Sequence, residues 1–407
     1  MIFWIDQKRN REVSDEEFLQ DLSTQQVVRK YIRAEDPYRM LVDMVSAMLA
    51  GQDFYLLDND FSDEELTRMG ISVEEVSKTT ALQHRLTVKT LQDVATGIQT
   101  QLWKSWLFTS GTTGLPKKVC HSYQSLGRNV RISKWHQKDV WAFAYRMSHM
   151  AGVQVLLQAL ANRNPLIYVF ESTPLDVVNT IRQYGCTHIS ATPTFYRNIL
   201  PYITEPLPAL RHLTLGGERF DGGLCDKIKE LLPAVKIHNI YASTEAGSLL
   251  QAKGDKFIIP PICEGKICIS QGNELLVHRS LLGNFPVDGE WYNTHDLVKE
   301  ENGTLQFLSR QSDLVNVGGY KVNPLEVEDM LKQVPEIVDC IVRGEKNSVV
   351  GNLLVADLQI REEADFKKVK QDAIRLLRAH LQPFKVPRIF HFVESVTRTR
   401  TGKKVRK

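Results

Sequence analysis

The sequence predicts an α/β protein with two domains, of which the second is the smaller. The chain has 407 residues, 43% of them hydrophobic and 24% charged, which is long enough for two domains and a large core. Between about Ser14 and Gly70, polar helix-like stretches alternate with short apolar runs, as αβ units on a mixed sheet require. Near the other end, predicted strands at Ile337–Val342 and Leu353–Leu358 precede a long amphipathic helix at Ala364–His380.

Charge and cysteine content exclude several classes of protein. The formal net charge of +3 is too small to indicate nucleic-acid or membrane-surface binding. No apolar run is long enough to span a bilayer, and the segment Met1–Arg11 turns charged too early for a signal peptide, so we expect a cytoplasmic protein. The six cysteines are scattered, with no Cys-x-x-Cys pair and no histidine at zinc spacing near them, which predicts reduced and mostly buried thiols.

A dense run of glycine, serine and threonine follows the apolar stretch Trp103–Phe108, which we interpret as a buried strand. Glycines let a backbone approach an anion, hydroxyls donate hydrogen bonds to phosphate, and a lysine adds positive charge. A kinase-type P-loop is excluded, because Pro116 and Lys117 stand where its second glycine and its lysine would fall. The sequence therefore predicts a different phosphate-binding loop, formed by Thr109, Ser110, Gly111, Thr112, Thr113, Gly114 and Lys117.

Two further apolar strands end in small residues. They are Ile189–Thr194, which contains Thr192, and Leu213–Glu218, which ends in Gly216, Gly217 and Glu218. Small residues after a strand open a cleft in which a ligand reaches the backbone. These strand ends are therefore candidates for a binding site.

Two polar stretches provide groups suited to a magnesium nucleotide. In Asn239–Glu245, the amide of Asn239 can satisfy an adenine edge, Tyr241 can stack on its ring, and Thr244 and Glu245 supply oxygen ligands for Mg²⁺. In Asp288–Val298, the carboxylate of Asp296 can accept two hydroxyl groups at once.

In this order, the five stretches resemble the motifs of the adenylate-forming superfamily, which includes acyl-CoA synthetases, firefly luciferase and the adenylation domains of peptide synthetases. The chain departs from the usual motifs at Ala242 and His295, where the family commonly has glycine. The resemblance implies a large N-terminal domain of mixed sheets with packed helices (1–309), a hinge (310–313, with Ser312 at the hinge position) and a small mobile α+β C-terminal lid (314–407). It also implies that a subdomain before the phosphate loop is trimmed.

The resemblance also implies roles for individual residues. Asp296 would hold the ribose hydroxyls and Arg310 the ribose and phosphate, while Lys403, in the basic tail, would reach into the active site. The acyl and thiol pocket would be lined by His149, Thr192, Gly216, Gly318, Gly319 and Tyr320. Amino-acid-activating relatives carry an Asp near His149, and since Phe143–Gly152 has no acid, an α-amino acid substrate is disfavoured.

The activity that the resemblance implies is an AMP-forming acid–thiol ligase. ATP and Mg²⁺ would activate a carboxylic acid, aryl or fatty rather than α-amino, as an acyl-adenylate, and the thiol of coenzyme A would then take the acyl group. One alternative acceptor is the phosphopantetheine of an acyl carrier protein. A non-catalytic nucleotide-binding relative is an alternative of another class, and a nucleic-acid-binding role for the basic tail is the least favoured, since the positive charge is confined to that tail.

Overall fold

The computed structural model describes residues 2–108, 117–218, 220, 222–317, 320–347, 351–398 and 404–405. The chain divides into two compact units. The first unit is Met1–Ile267 with Val277–Tyr292, and the second unit is Cys268–Leu276 with Asn293–Lys407. The predicted hinge at 310–313 falls inside the second unit, where Ser312 lies in a short 3₁₀ helix, and its role as a hinge stays a prediction.

The strands are, in chain order, β1 (Ile2–Asp6), β2 (Arg11–Ser14), β3 (Val27–Arg29), β4 (Tyr31–Ile32), β5 (Phe54–Leu56), β6 (Thr79–Ala81), β7 (Lys104–Phe108), β8 (Lys118–Ser122), β9 (Trp141–Phe143), β10 (Leu166–Tyr168), β11 (His188–Ala191), β12 (His212–Gly216), β13 (Lys236–Ser243), β14 (Gly247–Ala252), β15 (Lys256–Ile258), β16 (Ile267–Ile269), β17 (Glu274–His278), β18 (Trp291–Glu301), β19 (Thr304–Arg310), β20 (Val315–Val317), β21 (Tyr320–Val322), β22 (Ile337–Asn347), β23 (Gly351–Ile360) and β24 (Ile389–Phe392).

The α-helices are α1 (Asp15–Thr24), α2 (Pro37–Leu49), α3 (Asp63–Arg68), α4 (Val73–Val76), α5 (Leu91–Thr100), α6 (Tyr123–Leu126), α7 (Met150–Asn162), α8 (Pro174–Gln183), α9 (Pro193–Ile199), α10 (Gly222–Leu231), α11 (Pro324–Leu331) and α12 (Phe366–His380). Short 3₁₀ helices occur at His136–Lys138, Leu200–Tyr202, Pro261–Cys263, Arg279–Leu281, Gln311–Asp313 and Pro383–Lys385.

An eight-stranded sheet organises the first unit, with the strand order β14-β13-β12-β11-β9-β10-β1-β2. Its six central strands are parallel, and β14 and β2 pair antiparallel at the two edges. Consecutive residues of the inner strands enter two different cores: Trp4 and Phe143 lie in one, and Ile5 and Ala142 lie in the other. Because side chains alternate between the faces of a strand, the sheet is covered on both faces at β1 and β9, as parallel strands require.

A smaller sheet of the first unit, β4-β5-β7-β8, carries the strand that leads into the predicted phosphate loop. The last two strands, β7 and β8, are antiparallel, and Phe108 pairs with Lys118. The predicted loop is therefore the connection of a hairpin.

In the second unit, strands β18 and β19 form an antiparallel hairpin, and β22, β23 and β24 form a separate three-stranded sheet. Helices α11 and α12 contribute apolar side chains to the core on this sheet, including Val327, Leu331, Ala373 and Leu377. Helix α11 begins with Asn323 as its N-cap and Pro324 in its first turn, the arrangement that Asn-Pro predicts.

The described part of the C-terminal tail is held to the second unit by buried ion pairs. Nζ of Lys404 lies 2.8 Å from a carboxylate oxygen of Asp339 and 3.4 Å from one of Glu328, and the Lys404 side chain is only 11% exposed. Arg398 contacts the other oxygen of Asp339 at 2.6 Å. An isolated antiparallel backbone bridge joins Arg398 to Lys404, so the two residues that contact Asp339 also pair with each other.

The pKa values of this anchor shift in the directions expected for an ion pair. Burial acts to raise the pKa of Asp339, but the charges of Lys404 and Arg398 outweigh it and hold the pKa below its ordinary value. Burial acts to lower the pKa of Lys404, but Glu328 and Asp339 outweigh it and raise the pKa. The anchor therefore stabilises the fold above about pH 4 and below about pH 10, and it is lost when pH falls through the Asp339 pKa or rises through the Lys404 pKa.

Most predicted elements are confirmed. The predicted strands at Ile337–Val342 and Leu353–Leu358 are β22 and β23, which are longer than expected, and the predicted long helix is α12. All six cysteines are free, and four of them are buried. Across the described ranges, the structure contains no helix with the length and apolar character needed to cross a bilayer.

We predict that Lys404→Met destabilises the second unit by about 3 kcal/mol, because the variant leaves Asp339 and Glu328 as buried carboxylates with less positive charge beside them. Urea denaturation at pH 7 measures the loss. Lys346→Met, at an exposed position of β22, is the matched control and should stay within about 0.5 kcal/mol of wild type. Equal stability of the Lys404→Met protein and wild type would contradict the anchoring role, and the difference should narrow below about pH 4.

Candidate active site

The carboxyl ends of β11, β12 and β13 meet at one edge of the eight-stranded sheet. Their register pairs Ala191 with Leu215 and Gly216 with Ile240, so the residues that follow these strands emerge side by side. Thr192 caps helix α9, its hydroxyl accepting the N–H of Phe195 at 3.2 Å. Of the predicted binding residues, Asn239 and Tyr241 lie within β13, and the others end or follow these three strands: Thr192, Gly216, Gly217, Glu218, Thr244 and Glu245.

Gly217 and Glu218 shape the end of β12. Gly217 has φ +79°, a left-handed conformation that favours glycine, and a Cβ at that position would lie 3.7 Å from the side chain of Thr192. The carboxylate of Glu218 accepts the hydroxyl of Thr194 at 2.8 Å and lies 3.8 Å from Arg197. Glu218 therefore connects the end of β12 to the first turns of α9, and its place in the predicted binding site stays a prediction.

The stretch Asn239–Glu245 contains a break in strand pairing. Asn239 is buried and its Nδ2 donates to the carbonyl of Gly254 at 2.9 Å. The pairing of β13 with β14 shifts register between Tyr241 and Ala242, a bulge of the kind that re-aims side chains beside active sites. Ala242 thus sits at the irregularity where the family commonly has glycine.

Backbone hydrogen bonds fix the position of Thr244 and Glu245. Nε2 of His121 lies 2.7 Å from the carbonyl oxygen of Thr244, and the N–H of Gly283 donates to the carbonyl of Glu245 at 2.7 Å. The carboxylate of Glu245 lies 3.3 Å from the hydroxyl of Tyr292. Burial lowers the pKa of His121, so its ring is neutral and donates one hydrogen bond to Thr244.

His149 lies in a polar network, and its predicted place in the acyl pocket stays a prediction. Its Nε2 is 3.3 Å from the carboxylate of Asp58, which also accepts the hydroxyl of Ser148. Burial acts to raise the pKa of Asp58, but hydrogen bonds from His149 and Ser148 and the charge of Arg146 lower it below its ordinary value. Although Phe143–Gly152 contains no acid, an acid from another part of the chain lies beside His149. This acid is Asp58, which follows β5 and already contacts the His149 ring.

Several predicted residues lie outside the described residues: Thr109, Ser110, Gly111, Thr112, Thr113 and Gly114 of the phosphate loop, Gly318 and Gly319, and Lys403. Lys117, the last predicted residue of the loop, is described and exposed, one position before β8.

In the second unit, the structure brings Asp296 and Arg310 together. They face each other across β18 and β19, and Nε of Arg310 donates to a carboxylate oxygen of Asp296 at 2.8 Å. The Asp296 side chain is 10% exposed and the Arg310 side chain 40% exposed, so the carboxylate is held in place while the guanidinium extends toward solvent. This pair has the geometry of a positioned acid with a charged partner, and its binding to ribose and phosphate stays a prediction.

His295 has a left-handed backbone, the conformation that favours glycine, at a position where the family commonly has glycine. Its φ is +58°, its Nδ1 is 3.1 Å from Glu274, and its N–H donates to the side chain of Asn293 at 2.8 Å. A hydrogen bond from Asn293, followed by the hydrogen bond and charge of His295, lowers the pKa of Glu274. The His295 residue therefore adopts the left-handed conformation despite its side chain, which is 60% exposed.

Gly318, Gly319 and Tyr320 are predicted to line the thiol pocket, and of these three the structure describes Tyr320. Tyr320 begins β21 and is 59% exposed. Its ring stacks on Phe384 with centroids 4.4 Å apart. A mainly apolar pocket of the second unit is lined by Val317, Tyr320, Leu353, Leu354, Phe384, Val386 and Arg388.

Sequence reasoning missed the residues that support these positions. Of these residues, His121 left some signal in the sequence. It lies a few residues after the predicted loop, and a histidine in a buried strand needs a polar partner. Asp58 and Glu274 had no local signal, because their partners lie 91 and 21 residues away in sequence.

Two family profiles match the chain. The profile described as AMP-binding enzyme matches residues 52–267, and that described as AMP-binding enzyme C-terminal domain matches residues 326–403. The first match alone covers more than half of the chain. The chain belongs to the AMP-binding enzyme family.

Individual relatives are distant. The chain is 25% identical over 342 residues to Bacitracin synthase 3 from Bacillus licheniformis, an alignment that covers 74% of this chain and 5% of the relative. It is 26% identical over 347 residues to the mitochondrial acyl-coenzyme A synthetase ACSM1 of Mus musculus, covering 74% of this chain and 60% of the relative. The chain thus spans less than two thirds of the length of either relative.

A solved structure agrees with the fold. It is the o-succinylbenzoate CoA synthetase (MenE) from Bacillus subtilis in complex with the acyl-adenylate intermediate OSB-AMP, with a TM-score of 0.73, 20% identity, and coverage of 100% of this chain and 94% of that chain. The α/β fold class predicted from the sequence is confirmed.

We predict that His295→Val lowers the stability of the second unit by about 1–2 kcal/mol, because a β-branched residue in the left-handed region is strained and the contact with Glu274 is lost. His295→Gly should stay within about 1 kcal/mol of wild type, since glycine adopts this conformation freely. Urea denaturation of both variants measures the difference, and equal stability of the two would contradict the strain argument.

Proposed function

We propose that the protein uses ATP and Mg²⁺ to activate a carboxylic acid as an acyl-adenylate and then transfers the acyl group to the thiol of coenzyme A. The observation that carries the proposal is the strand-edge cluster of the first unit, in which Thr192, Gly216, Gly217 and the stretch Asn239–Glu245 end neighbouring parallel strands within a chain of the AMP-binding enzyme family. Ligands bind where parallel strands end, because the backbone and small side chains leave a crevice there.

The residues present fit a magnesium nucleotide. Glu245 and Thr244 offer hard oxygen atoms, which Mg²⁺ prefers, and the Glu245 carboxylate contacts a neutral hydroxyl of Tyr292. The hydrogen bonds that His121 and Gly283 make to this backbone hold the two side chains at the edge of the sheet before any ligand arrives. When bound, Mg²⁺ would offset negative charge on the phosphates.

In the first step, the substrate carboxylate attacks the α-phosphorus of ATP and pyrophosphate leaves. Both reacting groups are negative, so the protein must supply positive charge and fixed donors. We assign this role to Lys403, to Lys117 and to the loop residues Thr109 to Gly114. Tyr241 would stack on adenine, Asn239 would line its pocket, and Asp296 and Arg310 would position the ribose and phosphate for in-line attack.

In the second step, the thiol attacks the carbonyl carbon of the acyl-adenylate and AMP leaves with the bonding electrons. We assign the thiol path to the loop of Gly318, Gly319 and Tyr320. The stacking of Tyr320 on Phe384 beside an apolar pocket supports an elongated, partly apolar ligand here. We further propose that the segment 314–407 changes orientation about Ser312 between the two steps, as a hinge-mounted domain does.

The acyl group would be an aryl or fatty acid, with His149, Thr192 and Gly216 in its pocket. The engagement of Asp58 by His149 and Ser148 supports this choice, because an α-ammonium group would need a carboxylate that is open to it. ACSM1 is named an acyl-coenzyme A synthetase, which supports coenzyme A as the acceptor, whereas Bacitracin synthase 3 keeps delivery to a carrier protein's phosphopantetheine as the second candidate. A cytoplasmic location stays a prediction.

ATP–pyrophosphate exchange across a panel of carboxylic acids tests the proposal. We expect exchange above background with at least one aryl or fatty acid and background exchange with α-amino acids. An acid that supports exchange is then offered with free coenzyme A or with a holo carrier protein, and formation of the coenzyme A thioester is the expected result. Absence of exchange with every acid would instead indicate a non-catalytic nucleotide-binding relative.

We predict that Glu245→Ala lowers Mg²⁺-dependent exchange by roughly 100-fold or more, since it removes the carboxylate proposed to hold the ion. Glu230→Ala is the matched control, because Glu230 is an exposed glutamate on α10. Unchanged exchange in Glu245→Ala would refute the assignment.

We predict that Lys403→Ala separates the two half-reactions. Adenylate formation should fall by roughly 100-fold or more, because the lysine charge is proposed to stabilise the transition state of the first step only. Consumption of synthetic acyl-AMP with coenzyme A should stay near the wild-type rate, and Lys346→Ala, at an exposed lysine of β22, should preserve both reactions. Parallel loss of both half-reactions in Lys403→Ala would contradict the proposed division of labour.

A further inference from the structure

A second polar cluster lies in the first unit, at the edge of the eight-stranded sheet opposite to the strand-end site. It consists of His136, Asp139 and His188, whose ligand nitrogen and oxygen atoms all lie within 4.8 Å of one another. His188 is the first residue of β11, whereas Thr192 follows the last residue of the same strand. At about 3.3 Å per residue, these two positions are roughly 13 Å apart along the strand, so the cluster is separate from the proposed active site.

Local backbone geometry brings His136 and Asp139 together. His136 begins a 3₁₀ helix and Asp139 caps its end, and residues three apart in such a helix lie on the same side. Nδ1 of His136 is 2.8 Å from a carboxylate oxygen of Asp139. The turn itself is held by Asn164, whose side chain donates to the carbonyl of His136 at 2.7 Å.

His188 presents its second nitrogen to the same carboxylate oxygen. Its Nδ1 is 2.8 Å from the hydroxyl of Thr187, which accepts the N–H of Val140 at 2.8 Å and donates to the carbonyl of Val140. In the tautomer in which Nδ1 of His188 donates to this hydroxyl, Nε2 carries the lone pair that a metal ion would take. Nε2 then faces Asp139 at 3.6 Å, which is longer than a hydrogen bond.

A row of stacked imidazoles lies along this edge of the sheet. His188 stacks on His212 with centroids 4.7 Å apart, and His212 stacks on His238 at 5.7 Å. Asp139, which is 4% exposed, lies beside the His188 ring, which is also buried.

We propose that His136, Asp139 and His188 form a binding site for a divalent transition-metal ion of the zinc class, with water as the fourth ligand. Ligand atoms around a tetrahedral zinc lie roughly 3.3–3.6 Å apart, as follows from bond lengths of about 2.0–2.2 Å. Of the two distances to Asp139, 2.8 Å lies below this range and 3.6 Å lies at its upper end. Two imidazoles and one carboxylate are a donor set that zinc accepts, and Thr187 orients His188 from behind.

The site has an entrance and a structural consequence. The His136 side chain is 33% exposed, so an ion and its water reach the cluster from solvent and this ring adjusts by the ångström or so that coordination requires. Because His136 and Asp139 belong to the segment that precedes β9 and His188 begins β11, a bound ion would join that segment to the sheet. We therefore expect the ion to stabilise the first unit and to leave the chemistry at the other edge unchanged.

Zinc binding by the tag-free, chelator-treated full chain tests the site. Zinc sulfate alone is titrated against a chromophoric chelator, and Co²⁺ is added separately to observe the absorption bands of tetrahedral coordination. We expect one ion per chain and a rise in Tm of roughly 2–4 °C with excess zinc. His136→Ala and Asp139→Asn should weaken binding by about 100-fold or more, while His212→Ala, which alters the stacked row outside the ligand set, should retain it.

His136→Ala keeps the test decisive, because His136 is partly exposed and the variant is expected to fold. Zinc affinity unchanged in that variant, or no retained ion in wild type, would overturn the proposal. Absorption bands of octahedral cobalt would do the same, since they indicate loose binding to surface oxygen atoms. ATP–pyrophosphate exchange is measured in parallel with and without zinc, so that failure of the metal site and failure of the proposed catalysis give separate results.

Discussion

The parallel pairing of β11, β12 and β13 is the constraint on which the first unit depends. Apolar side chains from one face of these strands enter a single core, which contains Ile189 of β11, Leu213 of β12 and Ile237 of β13. With the register fixed by backbone hydrogen bonds, everything that follows the strands is delivered to one edge and everything that precedes them to the other. The first edge collects small and hydrogen-bonding residues, and the second collects histidines.

Site residues at or near the ends of strands could be predicted from the sequence. A strand that ends in Gly216 and Gly217, or in Asn239–Glu245, leaves a local signal, because apolar residues stop and polar or small residues begin within a few positions. The groups that hold these residues leave no such signal. His121 reaches Thr244 across 123 residues, and Asp58 reaches His149 across 91, so only the fold brings them together.

Fold class and most elements of the second unit could also be predicted, since β22, β23 and α12 are long and strongly patterned. The extent of β22 was underestimated because its exposed second half, around Lys346, carries charge that resembles a loop. The cluster of His136, Asp139 and His188 escaped for a different reason. A spacing pattern around cysteines does not reveal this cluster, because the cluster contains no cysteine. Two of its ligand residues are close in sequence, in a 3₁₀ turn, and the third comes from another strand.

The two departures from the common family motifs are accommodated by different physical means. At Ala242 the strand pairing changes register, so a methyl group is placed where the sheet is already irregular. At His295 the backbone is left-handed, and a hydrogen bond to Glu274 offsets part of the strain. Both positions lie close in sequence to predicted site residues, Thr244 and Glu245 in one case and Asp296 in the other.

Lys403 and Lys404 are adjacent in sequence, but their expected roles require different environments. The side chain of Lys404 is buried against Asp339 and Glu328. It is unavailable to a ligand, because moving its ammonium group away would leave two buried carboxylates with less positive charge beside them. An active-site lysine must instead be free to approach a phosphate. The contacts of Lys404 and Arg398 with Asp339 hold these two residues to the second unit, and the catalytic role that we propose for Lys403 is separate from this anchoring.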